Sequence, residues 1–165
     1  MENSLACLLR GDRMDKSEFV KYLDELFKAH SFKKKGTQWS FSNDEIIKII
    51  KLSKSNYGNY YHIDYGFIIK NLELGRLVMH IYHRLSSLDQ GESIRIKELL
   101  DFEIPIPDED RKNELKKFIE REIFGMFNKI HTEEDLLMEL KKRDHLNDIP
   151  LRVKKYFGLE DADEC

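Results

Sequence analysis

The chain reads as α+β: one helix, an antiparallel sheet of about four strands, then several helices packed on one face of that sheet. Three observations predict this. Residues 60–69 alternate between apolar and polar side chains with period two, as a half-buried strand does. Apolar residues recur at helical spacing before residue 30 and again after residue 90. The strand signals are grouped together rather than interleaved with helices, the order of an α+β domain and not of a parallel sheet. The 165 residues suit a single domain, and 41% hydrophobic residues supply a core without help from disulfides or metal. The expected organisation is a loosely ordered leader over 1–14, one domain over 15–158 and an acidic tail over 159–165, with Met1 and Met14 both open as the natural start.

Each element follows from local chemistry. Over 15–30, Phe19, Leu23, Leu26 and Phe27 share one helical face, and Asp15 with Glu18 three residues on resembles a capping box. The run Lys33-Lys34-Lys35-Gly36 ends that helix and opens a strand near 38–41, closed by the Ser42-Asn43-Asp44 turn. Residues 45–54 carry Ile46, Ile47, Ile49 and Ile50, a pattern that fits helix and strand about equally; β-branched enrichment favours the strand without deciding it. After a turn over 55–59, Tyr61, Ile63, Tyr65, Phe67 and Ile69 form one face of the clearest strand, with Tyr60, His62, Asp64, Gly66 and Ile68 on the other. A further strand is expected over 77–84, with Val78, His80, Tyr82 and Arg84 opposite Met79, Ile81 and His83.

Past a break at Asp89-Gln90-Gly91, a short helix is expected over 94–102, stopped by Ile104-Pro105-Ile106-Pro107. A long helix over 108–129 would turn Leu115, Phe118, Ile119, Ile123, Met126, Phe127 and Ile130 inward, with Gly125 costing up to about 1 kcal/mol relative to alanine. Thr132 reads as the N-cap of a helix through Leu136, Leu137 and Leu140. Pro150 starts a last helix with Val153 and Phe157, which Gly158 ends.

Charge narrows the function classes. Charged residues make up 36% of the chain, yet 28 Lys+Arg against 31 Asp+Glu leave a net charge of −3, which argues against a dedicated nucleic-acid binder. The charges are segregated. Residues 27–58 hold seven lysines against Asp44 and Glu45, whereas residues 89–114 hold nine acidic against four basic residues. The longest apolar run, Leu5 to Leu9, is far short of the ~20 residues that span a bilayer, so no membrane partner is expected. Cys7 and Cys165 suggest neither a disulfide framework nor a metal knuckle, and a cytoplasmic protein is the simplest reading. No phosphate-binding glycine loop, serine elbow or paired-cysteine motif occurs, and no cofactor is expected.

The central stretch resembles the bacterial domain-of-unknown-function family 4304. The residues that carry the likeness are Ser31-Phe32-Lys33-Lys34-Lys35-Gly36 with Trp39 soon after, Ile49-Ile50-Lys51-Leu52-Ser53-Lys54-Ser55 before Tyr57-Gly58, and His80 followed by Arg84-Leu85. Together they span about residues 19–88. The resemblance implies that 45–54 is a strand, and it brings no activity with it.

Three candidate sites follow. On the polar sheet face, His62, Asp64, His80, Tyr82 and Arg84 could converge. A His held by an Asp beside an Arg suits hydrolytic or nuclease-like chemistry, whereas Tyr and Arg suit gripping a protein, and a solvated face would be polar anyway. A metal site built on His62, Asp64, His80 and His83 is disfavoured, because His80 and His83 point to opposite faces of a strand. Lys33, Lys34 and Lys35 with Trp39 combine basic charge with an aromatic face, as a single-stranded RNA site would, although a solvated lysine rim is the plainer explanation. The leading expectation is a non-enzymatic module that binds an unidentified protein, immunity- or antitoxin-like in its concrete form, through His62, Tyr82 and Arg84 or through the acidic stretch Asp108, Glu109 and Asp110.

Overall fold

The computed structural model describes residues 14–159. The chain opens with helix α1 (Lys16–Lys28), capped by Asp15, whose carboxylate accepts the Glu18 N–H at 2.8 Å. A meander of five antiparallel strands follows: β1 (Lys33–Lys35), β2 (Gln38–Ser42), β3 (Ile46–Lys54), β4 (Tyr61–Ile69) and β5 (Ile81–Arg84), each paired with its neighbours in sequence. The helical half comprises α2 (Gln90–Leu99), α3 (Asp108–Phe118), a π-helical stretch (Ile119–Phe124), α4 (Gly125–Phe127), α5 (Glu133–Lys141) and α6 (Leu151–Phe157). This is the α+β order expected, with five strands rather than four. The additional strand is β1, three exposed lysines whose backbone pairs with β2 and whose side chains carry no alternation to read.

Register fixes the two faces of the sheet. Ile46, Ile50, Leu52, Tyr61, Ile63, Tyr65, Phe67, Ile69 and Ile81 share the inner face and are buried against α1 and the helical half. Trp39 stands opposite Ile50 and belongs to the same core, fully buried, with its indole N–H donating to Asp24 at 3.1 Å. The outer face carries Ser53, His62, Lys51, Asp64, Tyr82 and Arg84. The leader and the acidic tail lie outside the described residues except at their inner ends: Met14 is buried, and Leu159 packs against the core.

Four boundaries differ from the sequence reading, each for a local reason. β5 begins at Ile81, not residue 77, because the His80 imidazole replaces a strand neighbour: its Nδ1 accepts the Ile69 N–H at 2.9 Å. The expected break at residues 89–91 is a helix start, since the Asp89 carboxylate accepts the Glu92 N–H at 2.9 Å and caps α2. α2 then ends at Leu99, where the buried Arg111 guanidinium takes its terminal carbonyls. The long helix after Pro107 widens over Ile119–Phe124, and this wide turn brings Phe124 to the buried side together with Ile123 and Phe127. Phe124 lies against His30 there, ring centroids 3.7 Å apart. Thr132 caps α5 in a capping box with Asp135, and Gly158 ends α6 at φ 67°.

Two buried cations hold the helical half in place. Lys48, on the inner face of β3, donates to the Phe127 carbonyl at 2.5 Å and to His131 Nδ1 at 3.3 Å, so it closes the end of α4. Arg111, in α3, gathers the carbonyls of Glu98, Leu99, Asp101 and Ile104. Among the described residues, no helix is long and apolar enough to cross a membrane.

Candidate functional site on the outer face of the sheet

Antiparallel pairing sets Asp64 opposite Arg84 and Gly66 opposite Tyr82. Arg84 Nε donates to Asp64 Oδ1 at 2.9 Å, and its Nη2 donates to the Tyr82 hydroxyl at 3.0 Å. The Asp64 carboxylate is buried beneath the pair, whereas the Arg84 side chain is 50% exposed and Tyr82 47% exposed. The hydrogen bond to Asp64 raises the Arg84 pKa further, and burial raises that of Tyr82, so both keep their protons at neutral pH.

His62 lies one step along β4 on the same face, opposite Ser53. Its ring meets Tyr60 edge-on, centroids 5.5 Å apart, and burial followed by the nearby Arg84 charge lowers its pKa, leaving a neutral imidazole. Asp64 is engaged by Arg84 and not by His62, so the expected His–Asp pair is not formed. Beyond His62 the sheet meets α2: Tyr61 N–H donates to the Leu100 carbonyl and Phe102 N–H to that of Asn59, both at 3.0 Å. Between them lies a cleft of about 610 Å³ lined by His62 and Arg84 from the sheet, Ser86 from the loop, Lys97 from α2, and Ile96 and Leu100 below.

The other expected site residues lie elsewhere. His80 is fully buried, with Nδ1 accepting from Ile69 and Nε2 at 3.0 Å from the Glu73 carbonyl, to which it donates. Both ring nitrogens are thereby used to fold the 70–80 connection, and four residues of strand, roughly 13 Å, separate His80 from Arg84. Burial lowers its pKa in the same direction. Lys33, Lys34 and Lys35 are exposed along β1, but Trp39, expected to stack beside them, is in the core. The acidic run Asp108, Glu109 and Asp110 forms the first turn of α3, where negative charge complements the helix dipole. Sequence reasoning missed Lys97, Ser86 and the cleft they line; only the packing of α2 against Tyr60 and Tyr61 creates it, and no spacing in the sequence encodes that contact.

His83 points to the inner face instead. Its ring stacks on Tyr65 at 5.3 Å, and its Nε2 accepts from Arg143 Nη2 at 3.3 Å, while Arg143 also pairs with Asp148 at 2.9 Å. Burial, and then the Arg143 charge, push its pKa from 6.5 down to about 4. Folding therefore favours the neutral imidazole, and the unfolded chain binds the extra proton between these values. This contribution to stability is complete above pH 6.5 and is lost as the pH falls towards 4. His83→Gln is expected to shrink the drop in urea midpoint between pH 7 and pH 4.5 relative to the unaltered chain; equal drops in both proteins would contradict this assignment.

The outer face thus presents Arg84 and Tyr82 held to each other above Asp64, with His62 beside them. The family model described as domain of unknown function (DUF4304) matches residues 23–129, well over half of the chain. The chain belongs to this family. The DUF4304 match runs from the middle of α1 through the whole sheet and on through α3 to the end of α4, so it includes the braced Tyr82–Arg84 pair and the adjoining cleft. No curated protein and no solved structure matches the chain.

Proposed function

We propose that this DUF4304 chain is a non-enzymatic protein-binding module whose partner docks on the outer face of β4 and β5. The observation that carries the reading is the bracing of Arg84 by Asp64 and Tyr82. Tyr and Arg dominate binding hot spots, and side chains already held in place lose less rotamer freedom when a partner arrives. Asp64 supplies the counter-charge from below while leaving the outer surface of the guanidinium open. An enzyme reading has less support, since His80 is committed to the fold and His62 lacks an orienting carboxylate. An immunity- or antitoxin-like protein that masks its partner in the cytoplasm is the concrete form of this proposal, favoured by the opposed basic and acidic stretches, which suit a charged protein surface.

The test is affinity capture from a nuclease-treated lysate of the source organism, run in parallel with the unaltered chain and with Tyr82→Ala/Arg84→Ala. The expected result is one stoichiometric protein that the double variant fails to retain. Calorimetry with that purified protein should show a loss of more than ~2 kcal/mol of binding free energy. Capture of no partner, or equal capture by a folded double variant, overturns the proposal.

A further inference from the structure

A second cleft lies away from that face, where the connection between β4 and β5 meets α6. It has a volume of about 530 Å³ and is lined by Gly75, Arg76 and Leu77 from the connection, and by Leu151, Arg152 and Lys155 from α6, with Pro150 at the turn into the helix. Among the described residues, no carboxylate lines it. Among the described residues, none of Arg76, Arg152 and Lys155 forms an ion pair. Leu151 stands 58% exposed beside them, and as the residue four before Lys155 it shares that helical face.

Arg152 is a positioned cation and not a free surface one. Its Nη1 donates to the Glu73 carbonyl at 2.8 Å, the same oxygen that receives His80 Nε2 at 3.0 Å. Its guanidinium lies against Gly75, whose backbone is left-handed at φ 61°. A Cβ at position 75 would sit 2.6–2.9 Å from the guanidinium atoms, so the glycine provides the space that the arginine head occupies. The rest of the guanidinium fork remains available to a ligand.

We propose that this cleft binds a phosphomonoester joined to an apolar group. Three cations that form no ion pair among the described residues exceed what the single charge of a carboxylate satisfies, whereas a phosphomonoester carries about two negative charges and three acceptor oxygens at neutral pH. Leu77, Pro150 and Leu151 supply the apolar wall for the group it esterifies, and the volume falls in the range of small-molecule sites. Pro150 to Lys155 lie beyond the residues that the family model matches, so half of the cleft is supplied by a helix outside the matched region.

The test is a titration of the full chain with phenyl phosphate, followed by ¹H–¹⁵N NMR, with benzoate and inorganic phosphate as comparators. The expected result is saturable shifts at Gly75, Arg76, Leu151 and Lys155, with phenyl phosphate binding more tightly than either comparator. Arg152→Gln should weaken it by about tenfold. Arg76→Gln/Lys155→Gln should weaken it comparably and leaves the Glu73 contact intact, so the outcome does not depend on whether the loop tolerates loss of Arg152. Non-saturable shifts, equal binding of benzoate, or affinity unchanged in the double variant overturn the proposal. A final arm uses vesicles of phosphatidylcholine and phosphatidylglycerol: co-sedimentation without saturable binding of phenyl phosphate would assign the cations to a lipid surface and also overturn it.

Discussion

Arg111→Met is expected to destabilise the protein by about 3 kcal/mol, in line with the loss of one partner from a buried charged network. The side chain is only 3% exposed. Its Nη1 reaches the carbonyls of Leu99, Asp101 at 3.3 Å and Glu98 at 3.4 Å, and its Nη2 reaches that of Ile104 at 2.8 Å, while the guanidinium lies 5.0 Å over the Phe102 ring. The carbonyls of Glu98 and Leu99 close α2 at the negative end of its dipole, and those of Asp101 and Ile104 belong to the turn that follows. Methionine retains the apolar stem and removes every donor, so the Leu99 and Ile104 carbonyls lose the guanidinium, while those of Glu98 and Asp101 keep the N–H groups of Asp101 and Ile104. For a chain of this size the melting temperature should fall by about 10 °C. Arg111→Lys should recover only part of the loss, because one ammonium cannot span carbonyls on both sides of the turn. Urea unfolding of the three proteins measures this, and a loss below about 1 kcal/mol for the methionine variant would show that water replaces the guanidinium without cost.

Gly66→Ala is expected to cost about 2–3 kcal/mol through overpacking. The new Cβ would fall on the Ile81 carbonyl oxygen and 2.8 Å from Met79 Sδ. Met79 can swing aside; the carbonyl belongs to the β4–β5 ladder and moves only if the ladder opens. Hydrogen exchange should therefore show Ile81 to Arg84 losing protection before the rest of the sheet. Because Tyr82 and Arg84 ride on β5, the same variant should also weaken partner capture, without touching either side chain. Unchanged stability would mean that β5 yields more easily than its pairing suggests.

What was legible in the sequence follows from how each contact is made. The β4 face was readable because alternation is the direct imprint of a sheet with one buried side. The caps at Asp15 and Thr132 were readable because capping is local. Residues 45–54 were ambiguous by pattern, since β3 is buried on parts of both faces and its isoleucines do not alternate; the resemblance to the family decided them. What stayed hidden depends on side chains standing in for backbone. His80 replaces a strand partner, Lys48 and Arg111 close helix ends from distant elements, and in a sequence all three look like surface residues. Within the candidate site, His62, Tyr82 and Arg84 were placed on one face correctly, but the commitment of Asp64 to Arg84 depends on cross-strand register, which pattern alone leaves free.

The three lysines of β1 have a consequence for the molecule in a crowded solution. A sheet ends in two strands with unpaired backbone groups, which any other extended chain can join. At one end stand Lys33, Lys34 and Lys35, so a second copy approaching edge to edge must bring its own row of ammonium groups against this one. At the other end β5 is only four residues long and offers little length to template. The meander is thus closed to further growth by repulsion at one border and by brevity at the other, and β-rich aggregation should begin from an unfolded chain, not from the native sheet.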